Sequence, residues 1–146
     1  MTWTPIVNQA DIDGLAAAFG GFHDACIKEM HLWTETYVKD NLSMTCSPQL
    51  DTHVRLLIQR QFSAPSAIEL LFDEVMGLNV APSPDNYDSI IFEATLLLKE
   101  GVFYWADVGD WLPDQEDIIH TTWIAAQKLK WRDASEWMGG ELRYGP

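Results

Sequence analysis

Basic residues are scarce in this chain of 146 residues, where nine Lys and Arg stand against 22 Asp and Glu and the formal net charge is −13. Proteins that bind nucleic acid regardless of its sequence need cations to neutralise phosphates, and attachment to an anionic membrane surface needs them too. We therefore expect no nucleic-acid partner and no membrane partner. A basic protein, a cation or simple solubility remains as the reason for the acidity.

Cysteines and long apolar runs are scarce as well. The two cysteines, Cys26 and Cys46, form neither a CxxC pair nor a metal-ligand spacing. No apolar run approaches the roughly 18 residues that a membrane span needs. The first five residues, MTWTP, lack the basic start and apolar core of a signal peptide. We therefore expect a cytoplasmic protein whose two thiols are reduced.

Short motifs that bind cofactors or metals are missing from the chain. It has no GxGxxG or P-loop sequence for phosphates, no GxSxG around a serine and no HExxH pair for zinc. We therefore expect no cofactor and no metal ion, and a structural role for each histidine. Two of them, His31 and His53, could face each other across strands, which a single sequence does not decide. The four histidines are His23, His31, His53 and His120.

The patterns that are present favour an α+β fold. Residues 11–19 have the spacing of a short helix, with Asn8 or Asp11 as its cap and Gly20-Gly21 as its end. From residue 25 onward, apolar residues alternate with polar ones, which predicts strands. The predicted strands are 25–38, 42–46, 52–62, 67–72, 90–99, 102–106 and 119–132. We expect a single domain, residues 1–146, with a curved antiparallel sheet of about six or seven strands and a short N-terminal helix.

The last predicted strand separates residue types by parity. Its apolar side would carry Trp123, Ala125, Leu129 and Trp131, and its polar side Lys128, Lys130 and Arg132. This separation is typical of a strand with one face in the core and one face in solvent.

The pair His23-Asp24 lies where the predicted helix gives way to the first long strand. A catalytic role would need a nucleophile beside the imidazole, and Cys26, two residues further along, is the nearest candidate. The structural interpretation is that Asp24 accepts backbone N–H bonds where the strand begins, with His23 packed beside it. We favour the structural interpretation and keep a small hydrolase or metal-dependent enzyme using His23, Asp24 and Cys26 as an alternative.

The strongest functional signal is an uneven distribution of charge. Between Gln61 and Gln127 there are twelve acidic residues and one basic residue, Lys99. Acids and aromatic residues alternate near residues 104–117, a combination that suits a basic protein surface, because acids steer the association and an indole can anchor it. The competing interpretation is a solvated acidic loop. The predicted partner-binding residues are Tyr104, Trp105, Asp107, Asp110, Trp111, Asp114, Glu116 and Asp117.

The segment GFHDA, residues 21–25, resembles a Phe-His-Asp step that leads into an antiparallel sheet in a broad group of small bacterial proteins, mostly uncharacterised. Some members are assigned as immunity proteins of polymorphic toxin systems. Residues 68–75, 101–107, 122–126 and 130–132 also resemble segments of these proteins, so the resemblance covers Phe22 to Arg132. It implies an α+β fold without enzymatic chemistry. It also implies binding and blocking of a toxin, often a basic nuclease, and it assigns no catalytic residues.

These observations together predict a non-enzymatic, immunity-like interaction protein that binds a basic partner, such as a toxin, through its acidic-aromatic region. The enzyme alternative described above remains open. A third possibility is a homo-oligomeric subunit, such as a homodimer, in which exposed tryptophans among the seven in the chain bury against a second copy.

Overall fold

The N-terminal segment forms a short strand followed by a helix. In the computed structural model, which describes residues 2–115 and 120–145, strand β1 is Thr4–Ile6 and helix α1 is Gln9–Phe19. The Asn8 side chain caps the helix by accepting the Asp11 N–H at 3.0 Å. Gly20, with φ at 62°, ends it in the left-handed conformation that glycine adopts without strain. The buried face of α1 consists of Ile12, Leu15 and Phe19.

The rest of the described chain is mainly strands. A 3-10 turn, Gly20–Phe22, leads from the helix into the sheet. The strands that follow are β2 (Ala25–Thr34), β3 (Tyr37–Val38), β4 (Met44–Thr45), β5 (Thr52–Arg60), β6 (Ala67–Asn79), β7 (Thr95–Lys99), β8 (Val102–Ala106) and β9 (Trp123–Asp133).

The main sheet has seven antiparallel strands. Six of them follow the order β2-β5-β6-β9-β8-β7, and β1 also pairs with β9. One edge of β9 is paired with β6 along its whole length, whereas the other edge is divided between β8, at residues 123–126, and β1, at residues 129–131. Strands β3 and β4 form a separate two-stranded hairpin. The prediction of an α+β fold with an antiparallel sheet and a short N-terminal helix is confirmed.

Several strands differ in length from the predicted ones. In one of them, neighbours that are distant in sequence compensate for acidic residues within the strand. The predicted strand 67–72 continues to Asn79, although it passes through Asp73 and Glu74. Both acids are accommodated because they have cationic or titratable neighbours, His53 at 2.6 Å from Asp73 and Lys128 at 3.7 Å from Glu74. The strand predicted from residue 90 begins at Thr95, and the one predicted from 119 begins at Trp123.

The predicted parity of β9 is correct in its C-terminal half and wrong in its N-terminal half. Leu129 faces the core as expected, but Ile124 and Ala126 join it there in place of Trp123 and Ala125. The facing side therefore changes between residues 126 and 129. Opposite this point Glu74 of β6 has φ at 54°, and the β6–β9 register shifts just beyond it, between Val75 and Gly77. Such irregularities change the alternation of a strand pair.

The two faces of the sheet are covered differently. Helix α1 and the Phe22 side chain pack on one face and enclose the main core, with Phe19, Leu56, Phe72 and Trp105 fully buried. The opposite face, called the outer face below, is crossed by the C-terminal segment 134–145, whose Trp137 and Tyr144 pack against Leu57, Ala67 and Ala134. No helix among the described residues is long and apolar enough to cross a membrane.

Candidate functional site

Two of the predicted partner-binding residues, Tyr104 and Trp105, lie side by side on β8 but have different surroundings. Trp105 is 0% exposed and its ring meets that of Phe22 edge-on at 5.9 Å. It is a core residue, so the prediction that it contacts a partner is corrected. Tyr104 is half-buried, with its ring 6.0 Å from that of Trp111. The alternation of a strand explains the difference, because neighbouring residues point to opposite faces.

Trp111 is also buried, at 2% exposure, although it belongs to a loop. Its indole stacks on that of Trp123 with ring centres 5.8 Å apart. Its backbone N–H donates to Thr95 Oγ1 at 3.1 Å, and the same hydroxyl donates to the carbonyl of Val108 at 2.7 Å. Trp111 therefore fastens the loop to the sheet, and at 2% exposure it leaves little surface for the partner contact that the sequence predicted.

The predicted acids are exposed to different degrees. Asp110 and Asp114 are exposed, whereas Asp107 is half-buried and its Oδ1 accepts the Thr122 N–H at 3.2 Å. Burial raises the pKa of the Asp107 carboxyl above its usual value, although backbone N–H groups oppose the shift. Glu116 and Asp117 lie outside the described residues.

A second loop, residues 80–93, lies next to the predicted one, and sequence reasoning did not connect the two. The Ala81 N–H donates to Thr122 Oγ1 at 3.0 Å. A side-chain oxygen of Glu93 lies so close to Gly109 that a Cβ there would come within 2.6 Å of it. The two loops thus form one end of the molecule, called the loop end below.

The surface of the loop end mixes acids with large apolar side chains. The exposed acids are Asp85, Asp88, Glu93, Asp110 and Asp114. The exposed apolar side chains are Val80, Tyr87, Ile90, Phe92, Val108 and Leu112. Tyr87 and Phe92 are each 76% exposed, which is high for aromatic residues and typical of interaction sites.

A cavity of about 450 Å³ opens beneath the 80–93 loop. Ile27 and Met30 of β2 form its apolar floor, and Asp88 and Asp107 place two carboxylates on its walls. Its volume is within the range of small-molecule sites and exceeds what one arginine or lysine side chain occupies. The acids give the cavity a negative field, which favours a cation with an apolar stem.

Lys99 is the basic residue nearest in sequence to these two loops, and it lies at a distance from them. Thr95, the first residue of β7, touches the 107–115 loop through Val108, and Lys99 ends the same strand. Four steps along a strand separate the two residues by about 13 Å. Lys99 is the sole basic residue between Gln61 and Gln127, so the two loops themselves carry no cation.

The alternative catalytic group, His23, Asp24 and Cys26, is spread along the surface. His23 Nδ1 donates to the Phe92 carbonyl at 2.7 Å, and its Nε2 lies 3.3 Å from Asp24 Oδ2. Within the described ranges no hydrogen bond joins Cys26 to His23, and none of the three residues lines the four cavities found there. The group therefore lacks the nucleophile–base contact that covalent catalysis uses.

The structural role predicted for Asp24 also needs correction. In the part of the chain that the structure describes, no backbone N–H donates to its carboxylate, whose one contact is the His23 ring. Asp24 instead has φ at 57°. This left-handed conformation is the reason for an aspartate here, since Asp and Asn adopt it more readily than other non-glycine residues.

The histidines His31 and His53 do not face each other. The β2–β5 register pairs His31 with Arg55 and Trp33 with His53. The Trp33 ring stacks on His53 at 5.1 Å and lies 4.9 Å from the ring of His31. The pairing of Trp33 with His53 depends on a one-residue shift of register between Ile27 and Glu29. The sequence contains no signal for this shift.

His53 is held between two carboxylates on the outer face. Its Nδ1 lies 2.6 Å from Asp73 Oδ1 and its Nε2 2.8 Å from Glu35 Oε1. Burial of the imidazole is the largest single influence and lowers its pKa, but the hydrogen bonds and charges of the two acids together outweigh it and raise the pKa above 6.5. The group links β5, β6 and the residue that follows β2 through the imidazole ring.

The most deeply buried charge in the described chain is Glu69, at 0% exposure on the outer face. Arg55 donates to its Oε2 at 2.7 Å, Tyr144 Oη donates to the same oxygen at 2.6 Å, and Arg132 binds Oε1. These four side chains are called the Glu69 cluster below. Burial and the neighbouring Glu69 raise the pKa of Tyr144 well above its usual value.

Sequence reasoning missed the Glu69 cluster, although a signal was present. Glu69, Arg55 and Arg132 have the parity opposite to the core residues of their strands, so that the outer face carries both signs of charge. Trp137 and Tyr144, near the C-terminus, supply apolar side chains that cover this part of the outer face. The arrangement satisfies a buried carboxylate with three donors, which gives it a structural role.

Comparison with known proteins gives no match: no protein-family model, no curated protein and no solved structure matches the chain. The resemblance carried by GFHDA and the other segments therefore stays a prediction. Among residues 2–115 and 120–145, no group of three or more His, Cys, Asp or Glu side chains is arranged to hold a metal ion.

Proposed function

We propose that this chain is a non-enzymatic cytoplasmic protein that binds a basic protein partner through the loop end. The observation that carries the proposal is the composition of that surface, where exposed acids alternate with exposed aromatic and aliphatic side chains and the two loops contain no basic residue. The resemblance to immunity proteins makes a basic toxin, for instance a nuclease, the partner class to test first.

The acids and the apolar side chains have separate physical roles in such an interface. Acids such as Asp110 and Asp114 attract a basic surface over a distance and raise the association rate, an effect that salt screens. Apolar side chains such as Tyr87, Phe92 and Leu112 lose their contact with water in the complex and supply affinity. The buried Trp111 keeps the 107–115 loop in place, so little ordering is needed on binding.

The cavity beneath the 80–93 loop adds a specific place for one basic side chain of the partner. An arginine or lysine would lay its stem over Ile27 and Met30 and bring its charge to Asp107 and Asp88. Binding of this kind would favour ionised Asp107 and so oppose the rise in its pKa that burial causes.

The test is affinity capture from the lysate of the native host at low and at high salt, with three baits. The first bait is the parent chain. The loop variant carries Glu93→Gln, Asp110→Asn and Asp114→Asn. The control variant removes the same amount of charge at exposed positions elsewhere, with Asp13→Asn, Asp40→Asn and Glu136→Gln.

We expect the parent and the control variant to retain one basic protein at low salt, to retain less of it at high salt, and the loop variant to lose it. The purified partner should then bind the loop variant at least tenfold more weakly than the control variant. The proposal is wrong if the two variants lose the partner equally, or if no basic protein is retained by any bait.

A second candidate function is self-association through the β3–β4 hairpin. The seven tryptophans, which the sequence suggested for this role, are all buried or half-buried. The hairpin and its flanks instead carry a group of exposed apolar side chains, Leu32, Tyr37, Val38, Leu42, Met44 and Leu50. Sedimentation equilibrium of the parent and of Leu42→Lys distinguishes the cases: a dimer that the substitution dissociates supports a homodimer, and a monomeric parent excludes it.

A further inference from the structure

The sheet has an opening along one edge of β9. Strand β8 pairs with residues 123–126 of β9 and strand β1 pairs with residues 129–131, so that Gln127 and Lys128 lie between the two partners. At these two residues β9 pairs with neither β1 nor β8. An opening of this kind gives a ligand access between strands without disturbing the pairing on either side.

A cavity of about 490 Å³ occupies this opening. Its volume lies within the roughly 300–1,000 Å³ of small-molecule sites. Most of its wall is apolar and comes from four strands, β1, β7, β8 and β9, and from the residue after β1. The apolar wall consists of Pro5, Ile6, Val7, Leu98, Phe103 and Leu129.

Two cations, Lys128 and Lys130, line the same cavity. Lys128 is 70% exposed, which places its ammonium on the solvent side of the opening. Arg132, the third cation of β9, belongs to the Glu69 cluster and does not line the cavity. The opening therefore holds two lysines of a chain that has nine basic residues and a net charge of −13.

The acids nearby are already engaged. Asp73 also lines the cavity, but its Oδ1 is bound to His53 Nδ1 at 2.6 Å. Glu74, whose side chain is 31% exposed, lies 3.7 Å from the Lys128 ammonium, which is itself 70% exposed. A contact at that distance leaves the lysine open to solvent on its other side, so a ligand carboxylate can bind Lys128 beside Glu74.

We propose that this opening binds a medium-chain fatty acid, with its hydrocarbon chain between Ile6, Phe103 and Leu129 and its carboxylate at Lys128 and Lys130. An apolar tail gains from leaving water in such a slot, and the lysine ammonium groups select an anionic head over a neutral or cationic one. The proposal does not depend on the protein partner, because none of these residues belongs to the loop end.

The test is a titration of the ¹³C-methyl-labelled chain with decanoate below its micelle concentration, followed by NMR. A parallel titration uses decyltrimethylammonium, which has a chain of the same length and a cationic head. Two variants probe the site: Lys128→Glu reverses the charge at the mouth, and Val7→Trp adds bulk there without touching the core, since Val7 is 68% exposed. Lys39→Glu, an equal charge reversal on the β3–β4 turn, is the control.

We expect decanoate to shift the methyl signals of Ile6, Val7, Leu98 and Leu129, and to bind Lys128→Glu and Val7→Trp at least tenfold more weakly than Lys39→Glu and the parent. The cationic analogue should bind this site at least tenfold more weakly than decanoate. Shifts confined to other methyl groups, no shifts up to the micelle concentration, or equal binding of the two head groups would overturn the proposal.

Discussion

Acids and aromatic residues meet in two regions of the molecule, the loop end and the outer face. At the loop end, Asp110 and Asp114 are exposed, and no cation among the described residues pairs with them. On the outer face, Glu69 is fully buried and receives hydrogen bonds from Arg55, Arg132 and Tyr144. The same residue types therefore stay in contact with solvent in one region and support the fold in the other.

The difference follows from the cost of removing a carboxylate from water. A buried carboxylate must find donors within the chain, so its partners become fixed parts of the fold. An exposed carboxylate keeps its water and remains free to exchange it for a partner's cation. Mutations that remove one acid from each region measure this difference directly.

The largest effect is expected from Glu69→Ala. The substitution leaves the Arg55 and Arg132 guanidiniums and the Tyr144 hydroxyl without their acceptor. Removal of one member of a buried ion pair lowers the free energy of unfolding by about 3–5 kcal/mol, and we expect a loss of that size here. Asp110→Asn at the loop end should change the free energy of unfolding by less than about 0.5 kcal/mol. Urea unfolding of the two variants and the parent gives both values, and similar losses in the two variants would erase the distinction between the regions.

The next largest effect concerns the anchor of the loop end. Trp111→Ala removes a buried indole that stacks on Trp123, and we expect a loss of about 3 kcal/mol, as for other large-to-small changes in a core. Leu112→Ala, one residue further along at a side chain 55% exposed, should stay within about 0.5 kcal/mol of the parent. Thermal unfolding checks both, and an unchanged melting temperature for Trp111→Ala would mean that the indole is not the anchor.

A smaller effect is expected at Asp24, which lies beside the loop end through the His23–Phe92 contact. Because φ is 57° at this position, Asp24→Val should cost about 1–2 kcal/mol through strain of a β-branched residue. Asp24→Gly should be close to neutral, since glycine adopts this conformation freely. If Asp24→Gly were as unstable as Asp24→Val in urea, a lost side-chain contact would be the cause instead.

The smallest effect is a pH dependence on the outer face. The pKa of His53 is raised in the folded chain, so the imidazolium stabilises the fold below its unfolded pKa of about 6.5, and this stabilisation is lost as the pH rises through the higher folded value. The stability difference between the parent and His53→Gln should therefore shrink as the pH rises above about 6.5. An NMR titration of the ring checks the direction, and a midpoint below that of a free histidine would contradict it.

Local signals in the sequence predicted the framework of the fold well. Asn8 and Gly20 mark the ends of α1, and the alternation Val54, Leu56, Ile58 places β5 with its apolar side in the core. Such features depend on a few neighbouring residues, so a single sequence reveals them.

The parts that sequence reasoning missed depend on long-range contacts. The burial of Trp111 requires Trp123 and Thr95 from other parts of the chain, and the burial of Glu69 requires Tyr144, which lies 75 positions away. The continuation of β6 through Asp73 requires His53 on the neighbouring strand. None of these pairings has a local pattern, so the sequence does not reveal that Asp110 and Asp114 of the predicted site are exposed while Trp105 and Trp111 are buried.

The most direct test of the central claim is hydroxyl-radical footprinting of the free chain and of its complex with the captured basic partner. The account predicts that Tyr87, Phe92 and Leu112 at the loop end are protected in the complex, while the reactivity of Trp33 and Trp137 on the outer face stays the same. Protection of Trp33 and Trp137 with unchanged reactivity at Tyr87 and Phe92 would place the partner on the outer face and contradict the account.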